Sequence, residues 1–311
     1  MKLNCILIGG SGFLGTHVAL KLIESGCDVT IVDKNPPTIY SFSTSLKDVN
    51  FILADFQDYN KIGNLLANKD VLFHFACSSL PGSPIEKIDD DIRDNIERTV
   101  KFFQVAALCG IKKIVFPSSG GTVYGPSKTL PISEESPTNP ICSHGITKLA
   151  VEKYLILLHK VYGIDYLIFR ISNPYGPGQN TKGKQGLIAN VISRLLMDKP
   201  ITVFGEGKNV RDYIYIDDVV QAFLFAIQAN IKNEIFNIGS GIGLSINEVI
   251  NLISNLLNKK PKVLRDKDRI TDVDANILDI RKFCSKTNWK PETIFEEGLR
   301  YTNEWIYESI K

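Results

Sequence analysis

The chain lacks the features that mark several large classes of protein. Lys and Arg (36) nearly balance Asp and Glu (34) among its 311 residues, which leaves a formal net charge of +2. The charges are scattered rather than massed in one block, so nothing favours nucleic acid or a membrane surface as a partner. No apolar run approaches the ~18 residues of a membrane span. We therefore expect neither a membrane protein nor a nucleic-acid-binding protein.

Targeting and cross-linking signals are absent as well. The first eight residues run into a glycine turn without a small-residue cleavage site, so we expect no signal peptide and a cytoplasmic location. The six cysteines are widely spaced and form no C-x-x-C pair, which predicts buried free thiols and no metal site. These cysteines are Cys5, Cys27, Cys77, Cys109, Cys142 and Cys284.

The first half of the chain alternates short β-branched runs with amphipathic segments. The runs predict strands at 4–8, 28–32, 49–53, 71–75, 113–117 and 165–170. The amphipathic segments predict helices at 16–25, 60–67, 89–109 and 147–162. Hydrophobic strands alternating with helices indicate an α/β protein with a Rossmann-type, doubly wound parallel sheet.

The pattern loosens after residue 172, which predicts a second, smaller domain. Gly and Pro crowd residues 173–186, a loop too long for a simple connection. Ser245 and Glu248 have the spacing of a capping box at the start of a later helix. We predict a Rossmann-type domain over 1–172, with 212–240 returning to it. A C-terminal substrate-binding domain is expected over 173–211 and 241–311.

The first strand ends in a glycine turn. Gly9, Gly12 and Gly15 are spaced G-x-x-G-x-x-G between a predicted strand and a predicted helix. Glycines there let the backbone approach a pyrophosphate and present helix N-terminal amides to it. Asp33, at the end of the next strand, suits the adenosine ribose hydroxyls and repels a 2′-phosphate, which favours NAD over NADP. Lys34 beside it weakens that preference slightly.

With these residues the chain resembles the extended short-chain dehydrogenase/reductase family, and within it the UDP-glucose and UDP-N-acetylglucosamine 4-epimerases. The resemblance covers nearly the whole chain. It rests on the glycine turn, His74-Phe75-Ala76, Asn95, SSGGTVYG at 118–125, Lys148, RISNPYGP at 170–177, RDYIY at 211–215 and NWKP at 288–291. Members of this family oxidise a sugar carbon with NAD and return the hydride to the other face.

The resemblance also implies a set of cofactor contacts. The third strand closes on Asp55 and Phe56, a carboxylate and a ring that would bracket adenine. The full set of expected NAD-binding residues is Gly9, Gly12, Phe13, Leu14, Gly15, Asp33, Lys34, Asp55, Phe56, Phe75, Ala76, Asn95, Ser118 and Lys148.

The chain departs from the family at its catalytic positions. The family pattern is Tyr-x-x-x-Lys, whereas the tyrosine position here holds His144, four residues before Lys148. The usual catalytic Ser or Thr position is Gly120. Three alternatives stay open. Imidazole, which ordinarily titrates near pH 6.5, replaces phenol as acid/base; the protein binds its ligands but is weak or silent; or Thr122 or a Lys148-bound water carries the activity.

Substrate contacts are expected from the second half of the chain. The planar guanidinium fork of Arg suits a diphosphate, and Arg211 and Arg269 match family diphosphate-binding positions. Phe204 would pack against the nucleobase. Asn276 matches a position that limits room for an N-acetyl group, and its intermediate size leaves plain and N-acetylated hexoses both open. The expected substrate-binding set is Ser119, Thr122, Asn173, Leu187, Phe204, Arg211, Arg269, Asp272 and Asn276.

The resemblance finally favours one of the family's reactions, epimerisation, over dehydration. Family dehydratases place Asp-Glu before Val-Tyr-Gly, and here those positions are Gly121 and Thr122. We therefore expect epimerisation of a UDP-linked sugar in surface-polysaccharide precursor synthesis. A silent NAD- and sugar-binding protein is the alternative, with a reductase or dehydratase less favoured. The predicted helices 89–109 and 147–162 resemble the two that pair across family homodimers.

Overall fold

The computed structural model describes residues 3–36, 49–79, 87–181 and 186–310. Four residues of the predicted long loop, 182–185, lie outside this described part. The chain forms two compact units. Unit 1 draws on Met1–Ser119, Ser143–Arg170 and Val220–Phe236, and unit 2 on Gly120–Cys142, Ile171–Val219 and Asn237–Lys311.

A seven-stranded sheet forms the centre of unit 1. Its order is β10-β6-β5-β4-β1-β2-β3, and β1 pairs in parallel with both β2 and β4. Four of the five residues of β1 are buried, as expected for a strand covered on both faces. The strands are β1 Asn4–Ile8, β2 Asp28–Asp33, β3 Asn50–Leu53, β4 Val71–His74, β5 Lys113–Ser119, β6 Asp165–Ile171 and β10 Glu234–Ile238. The predicted α/β fold is confirmed.

Helices flank the sheet, and two differ from their predicted form. The segment expected as one helix, 89–109, is α3, then a π-helical segment Ile92–Glu97, then α4. Within it Asn95 bonds both Asp91 and Ser78, and such side-chain ties accompany the widened turn. The next helix begins at Ser143 instead of 147. The helices are α1 Phe13–Glu24, α2 Tyr59–Leu66, α3 Ile88–Asp91, α4 Arg98–Leu108 and α5 Ser143–Tyr162.

A buried ion pair ties α5 to the sheet. Arg170 on β6 donates to Glu152 on α5 at 2.7 Å, and both side chains are almost fully buried. Ser118 on β5 donates its hydroxyl to the same carboxylate at 2.5 Å. The carboxylate oxygens therefore have charged and neutral donors, as a buried charge requires. These bonds fix the helix that carries His144 and Lys148.

Unit 2 contains two smaller sheets and five helices within the part of it that the structure describes. One sheet has the order β11-β9-β13, with β7 also pairing with β9, and the other pairs β12 with β8. The predicted capping box is confirmed, because Ser245 and Glu248 exchange side-chain-to-backbone bonds. The elements are β7 Asn173–Tyr175, α6 Leu187–Leu196, β8 Ile201–Phe204, β9 Val210–Tyr215, α7 Ile216–Gln228, β11 Gly243–Ser245, α8 Ile246–Leu257, β12 Val263–Asp266, β13 Ala275–Asn276, α9 Arg281–Thr287 and α10 Phe295–Ile310. Of these, α7 continues into unit 1.

The units differ from the expected domains in more than one segment. The segment that returns to unit 1 is 220–236 rather than 212–240, and residues 171–172 belong to unit 2. Residues 120–142, expected in the first domain, pack within unit 2. Ile132 bridges to Leu278, and Tyr124 donates its hydroxyl to Asn237 at 2.6 Å, both within that unit. No helix among the described residues has the length and apolar character needed to cross a bilayer.

Candidate functional site

The glycine turn after β1 is shaped by close backbone approach. Gly9 has φ +73°, and a Cβ there would lie 2.4 Å from the backbone nitrogen of Ala76. A Cβ on Gly15 would lie 2.7 Å from the Cα of Gly10. A Cβ on Gly12 would meet no atom closer than the Gly9 carbonyl oxygen at 3.7 Å, which leaves its side of the turn open. Because α1 begins at Phe13, its N-terminal amides point to this open side.

Asp33 is tied to that turn. Its carboxylate accepts hydrogen bonds from the backbone nitrogens of Ser11, at 3.1 Å, and Asn35, at 3.0 Å. The buried Ser11 hydroxyl has no hydrogen-bond partner among the described residues. An open glycine cradle, a helix N-terminus, a carboxylate and an unpartnered hydroxyl fit a dinucleotide with its pyrophosphate and ribose.

The loop after β4 is fixed by Asn95. Its side-chain oxygen accepts from the Ser78 backbone at 2.8 Å, and its amide donates to the Ser78 hydroxyl at 2.9 Å. Ala76 makes the close approach to Gly9, and the ring of Phe75 stacks on Phe73. The structure thus brings Phe75, Ala76 and Asn95, three of the predicted NAD-binding residues, together beside the glycine turn.

His144 lies in the first turn of α5, with Lys148 one turn later on the same helix. The Nδ1 atom of His144 lies 3.2 Å from the Ser79 hydroxyl. The Lys148 ammonium donates to the Pro117 carbonyl at 2.9 Å and lies 4.7 Å from the centre of the Phe116 ring. Both side chains are largely buried. The early start of α5 therefore places the two predicted catalytic residues within one helical register.

Cys77 lies in the same cluster as Ser79, His144 and Lys148, and we call these four residues the corner. The exposure of Cys77 corrects the expectation of buried cysteines. The cysteines were expected to be buried, but only Cys5 is; Cys77 and Cys109 are exposed and the other three are intermediate. The Sγ of Cys77 lies 3.7 Å from the Ser79 hydroxyl. Although the residue as a whole is exposed, desolvation of its sulfur raises the pKa of the thiol. The Lys148 charge and a hydrogen bond with His144 lower the pKa by more and bring it to about 6.

Four further residues were predicted to bind the cofactor. Three of them contact other protein groups, and the fourth, Lys34, is exposed. Phe56 packs its ring edge-on against His74 at 5.2 Å, so its observed contacts are with the core. Asp55 accepts from the Gln57 backbone, and Lys34 is exposed. Ser118 uses its hydroxyl on Glu152.

In unit 2 the structure joins two residues that were predicted separately. The Arg269 guanidinium lies 3.6 Å from the centre of the Phe204 ring, a cation–π stack. Gly205, directly after Phe204, has φ +64°, and any Cβ there would collide with Asp268. The proposed nucleobase-packing ring and one proposed phosphate-binding guanidinium therefore form one platform.

Arg211, on β9, is the second predicted phosphate-binding arginine. Burial lowers the pKa of its guanidinium, while the negative charges of Asp272 and Asp274 act in the opposite direction. An arginine stays protonated in either case. The Asp272 backbone donates to the Arg269 carbonyl at 3.0 Å, so Asp272, whose charge acts on Arg211, lies in the same turn as Arg269. Asn173 donates its amide to the Asp212 carbonyl at 2.9 Å.

Two predicted site residues of unit 2 each have a buried polar atom that lacks a partner among the described residues. These atoms are the Thr122 hydroxyl and the side-chain oxygen of Asn276. Asn276 is only 1% exposed, and its amide donates to the Gly120 carbonyl at 3.0 Å. Leu187 is the first residue of α6 and is half-buried. Ser119, at the end of β5 in unit 1, is also half-buried.

Sequence reasoning missed Ser11, Cys77 and Ser79 as members of the site. Ser11 was the easiest to find, since it lies inside the quoted glycine motif. Cys77 directly follows the quoted His-Phe-Ala, so a nucleophilic side chain at the end of β4 was a usable signal. Ser79 carried no such signal.

The comparisons with known proteins agree with this geometry. Residues 5–239 match the model of the NAD dependent epimerase/dehydratase family. A putative UDP-glucose 4-epimerase from Methanocaldococcus jannaschii is 36% identical over 97% of both chains. A dTDP-4-dehydro-6-deoxyglucose reductase from Escherichia coli is 33% identical over 96% of both.

Among solved structures, UDP-glucose 4-epimerase from Thermotoga maritima with UDP-glucose is similar, with a TM-score of 0.92 and 32% identity over 99% of this chain and 100% of the other. The prediction of NAD as cofactor is confirmed at the level of the family. Family model, relatives and fold agree, and the chain therefore belongs to the NAD-dependent epimerase/dehydratase family of extended short-chain dehydrogenases/reductases.

Proposed function

We propose that the chain epimerises a UDP-linked hexose or N-acetylhexosamine at C4, for surface-polysaccharide precursors, with His144 as the acid/base. The observation that carries this proposal is the placement of His144. It lies in the first turn of α5, one turn before Lys148, and its Nδ1 is engaged by Ser79. The ring thereby has a fixed orientation and a second nitrogen for proton transfer.

Unit 1 would hold the cofactor and handle the proton. The glycine turn, the Ser11 hydroxyl and Asp33 would bind NAD, which when bound accepts a hydride from the sugar carbon and returns it. His144 would take the sugar hydroxyl proton at the ring nitrogen that Ser79 does not engage, and later give it back. The Lys148 ammonium, fixed on the Pro117 carbonyl, would supply positive charge beside the reacting oxygen.

Unit 2 would bind the nucleotide diphosphate. The Phe204–Arg269 platform offers a flat, cationic face to a nucleobase and its phosphates, and Arg211 adds a second guanidinium. The unpartnered hydroxyl of Thr122 suits a contact with a sugar hydroxyl, because a buried polar atom without a partner is costly. This supports a substrate with several hydroxyls and two phosphates.

Product analysis by NMR tests the proposal. The purified chain is incubated with NAD and, separately, with UDP-glucose, UDP-galactose and their N-acetyl forms. We expect at least one pair to interconvert from either side to the same final ratio. NAD binding without conversion of any of the four would favour the silent alternative, which the replaced tyrosine and serine positions support.

A reductase is the second candidate, because the 33% identical relative from E. coli carries that name. The two functions differ in their use of cofactor. An epimerase ends each turnover with the cofactor as it began, whereas a reductase consumes one reduced cofactor per product. Loss of absorbance at 340 nm with a 4-keto-sugar nucleotide, but no epimer formation, would favour the reductase.

We further propose a homodimer in the cytoplasm, formed through α4 and α5 of unit 1. Leu157 and Val161 lie one turn apart on α5 and are 49% and 62% exposed, and Leu108 at the end of α4 is 75% exposed. Such exposed apolar residues on neighbouring helices suit burial against a second copy. Light scattering at micromolar concentration should give twice the monomer mass, and Leu157→Lys should reduce it.

A further inference from the structure

We propose that Cys77 is a reactive thiolate, stabilised as an anion by Lys148 and His144, and that soft electrophiles modify it covalently. The function proposed above does not use this thiol as a reacting group. Its reactivity depends only on unit 1 and on no particular sugar, so its test needs no turnover.

The geometry supplies the cluster. Cys77, Ser79 and His144 form a chain of contacts, from Sγ to the serine hydroxyl at 3.7 Å and from that hydroxyl to Nδ1 at 3.2 Å. The thiol also donates to the Ser79 carbonyl at 3.4 Å when protonated. Cys77 is exposed as a residue, and we therefore expect a small reagent to reach its sulfur.

Charge explains why the sulfur would be anionic. The replacement of tyrosine by His144 leaves the Lys148 ammonium without a phenol at that position. Among the described groups that shift the pKa of Cys77, the Lys148 charge acts most strongly in the lowering direction, followed by His144 and Ser79. A thiolate next to Lys or His is the usual setting of a reactive cysteine.

A cavity beside the thiol gives an independent observation. It has a volume of about 10 Å³, the room of roughly one water molecule, and Cys77, Lys148, Asn95 and His74 are among its lining residues. His74 is 1% exposed, and its Nδ1 has no hydrogen-bond partner among the described residues. A buried polar atom without a partner, on a residue that lines a cavity next to the sulfur, indicates a small polar ligand there.

Two further titratable groups among the described residues, His74 and Asp91, lie close to this cluster. Burial lowers the pKa of His74 on β4 to about 3, with Lys148 acting in the same direction, so this ring is neutral near pH 7. Asp91 on α3 accepts from Asn95 at 2.7 Å and from the Ser143 hydroxyl. Lys148 and His144 on α5 are therefore the groups that set the pH dependence.

Alkylation kinetics test the proposal on the full-length chain as purified. In the reaction the thiolate sulfur bonds to the methylene carbon of iodoacetamide and iodide leaves. Mass spectrometry follows the peptides of Cys77 and of Cys109, the other exposed cysteine, between pH 5 and pH 9.5. The Cys77 rate should follow a midpoint of about 6.

The expected rate advantage is moderate. A more acidic thiolate is a weaker nucleophile, so at pH 6 we expect Cys77 to react about tenfold faster than an ordinary peptide thiol present as reference. A Cys77 midpoint of 8 or above would overturn the proposal. Since the midpoint is read without substrate, a failure of sugar turnover does not change this result.

Two variants test the assigned partners. Lys148→Gln should raise the Cys77 midpoint by about one pH unit or more, and His144→Gln should raise it by less. Lys153→Gln, an exposed position on the same helix, is the matched control and should leave the midpoint unchanged. Circular dichroism melts check that each variant folds. If neither Lys148→Gln nor His144→Gln moves the midpoint, the pairing is wrong.

Discussion

The glycine turn after β1 and the corner formed by Cys77, Ser79, His144 and Lys148 belong to the same unit but depend on different parts of the chain. The turn is defined by backbone positions, where any Cβ at Gly9 would collide with Ala76. The corner is defined by side chains that hydrogen-bond across 65 residues of sequence. The backbone amides of the turn are available to a ligand as long as its glycines are present. In the corner, by contrast, a single substitution replaces the functional group, here a phenol by an imidazole. The glycine turn keeps the family pattern, whereas the tyrosine position of the corner holds His144.

The largest effect is expected on the free energy of unfolding, when the ion pair that ties α5 to the sheet is broken. Arg170→Met leaves the Glu152 carboxylate buried without its cation, which should lower the free energy of unfolding by about 3–5 kcal/mol. Replacing both residues, as Arg170→Met with Glu152→Leu, should recover much of the loss. Urea denaturation measures both.

The matched control is an ion pair of unit 2 whose arginine is exposed. The Arg281 side chain is 87% exposed and pairs with Asp279, so Arg281→Met should lower the free energy of unfolding far less than Arg170→Met. Equal losses for Arg170→Met and Arg281→Met would show that the buried pair does not stabilise α5 as described.

The next largest effect concerns the glycine turn. Gly9→Ala should weaken NAD binding by about 100-fold, because the added Cβ forces apart the turn and the loop after β4. Gly26→Ala is the control, since it has a similar positive φ of +83° but nothing within 4 Å. Calorimetry should show NAD affinity unchanged for Gly26→Ala. Unchanged affinity for Gly9→Ala would mean that the turn does not bind the cofactor.

A smaller effect is expected at the platform of unit 2. Phe204→Ala removes the ring that stacks on Arg269 and should weaken UDP-sugar binding by about tenfold, leaving NAD affinity unchanged. Tyr301→Ala, which removes another ring beside an arginine, tests whether any surface stack has this effect. Similar losses for the two variants, measured by calorimetry with UDP, would count against a specific platform.

The smallest effect concerns cofactor choice. The chain should bind NAD more tightly than NADP, and Asp33→Ala should narrow the difference about fivefold by removing one negative charge near the 2′-position. Asp28→Ala, at the opposite end of β2, should leave the ratio of the two affinities unchanged. A parent protein that prefers NADP would contradict the role given to Asp33.

The contrast also separates what the sequence could predict from what it could not. The turn, its flanking strand and Asp33 were predictable because the signal is local: a buried run, three spaced glycines and an acid at a strand end. The Ser245 capping box is local in the same way. The break of the helix at 92–97 was not predictable from periodicity, because it accompanies the bonds of Asn95 to Asp91 and Ser78.

The contacts that the sequence did not predict join residues that are close in space but far apart along the chain. The stack of Arg269 on Phe204 joins residues 65 positions apart in sequence. The contact of Ser79 with His144 is equally distant along the chain. His144 itself was identified as a departure, but its partners Ser79 and Cys77 emerged only when the loop after β4 was placed beside α5.

The central claim is that His144 performs the proton transfer that the family assigns to a tyrosine, and three proteins on one substrate test it most directly. Initial rates of epimer formation are measured by NMR for the parent, His144→Phe and His144→Tyr, each with NAD affinity determined separately. We predict that His144→Phe lowers the rate by about 10²–10⁴-fold with NAD affinity nearly unchanged. Equal turnover by the parent and His144→Phe, or a parent inactive until His144→Tyr restores activity, would contradict the claim.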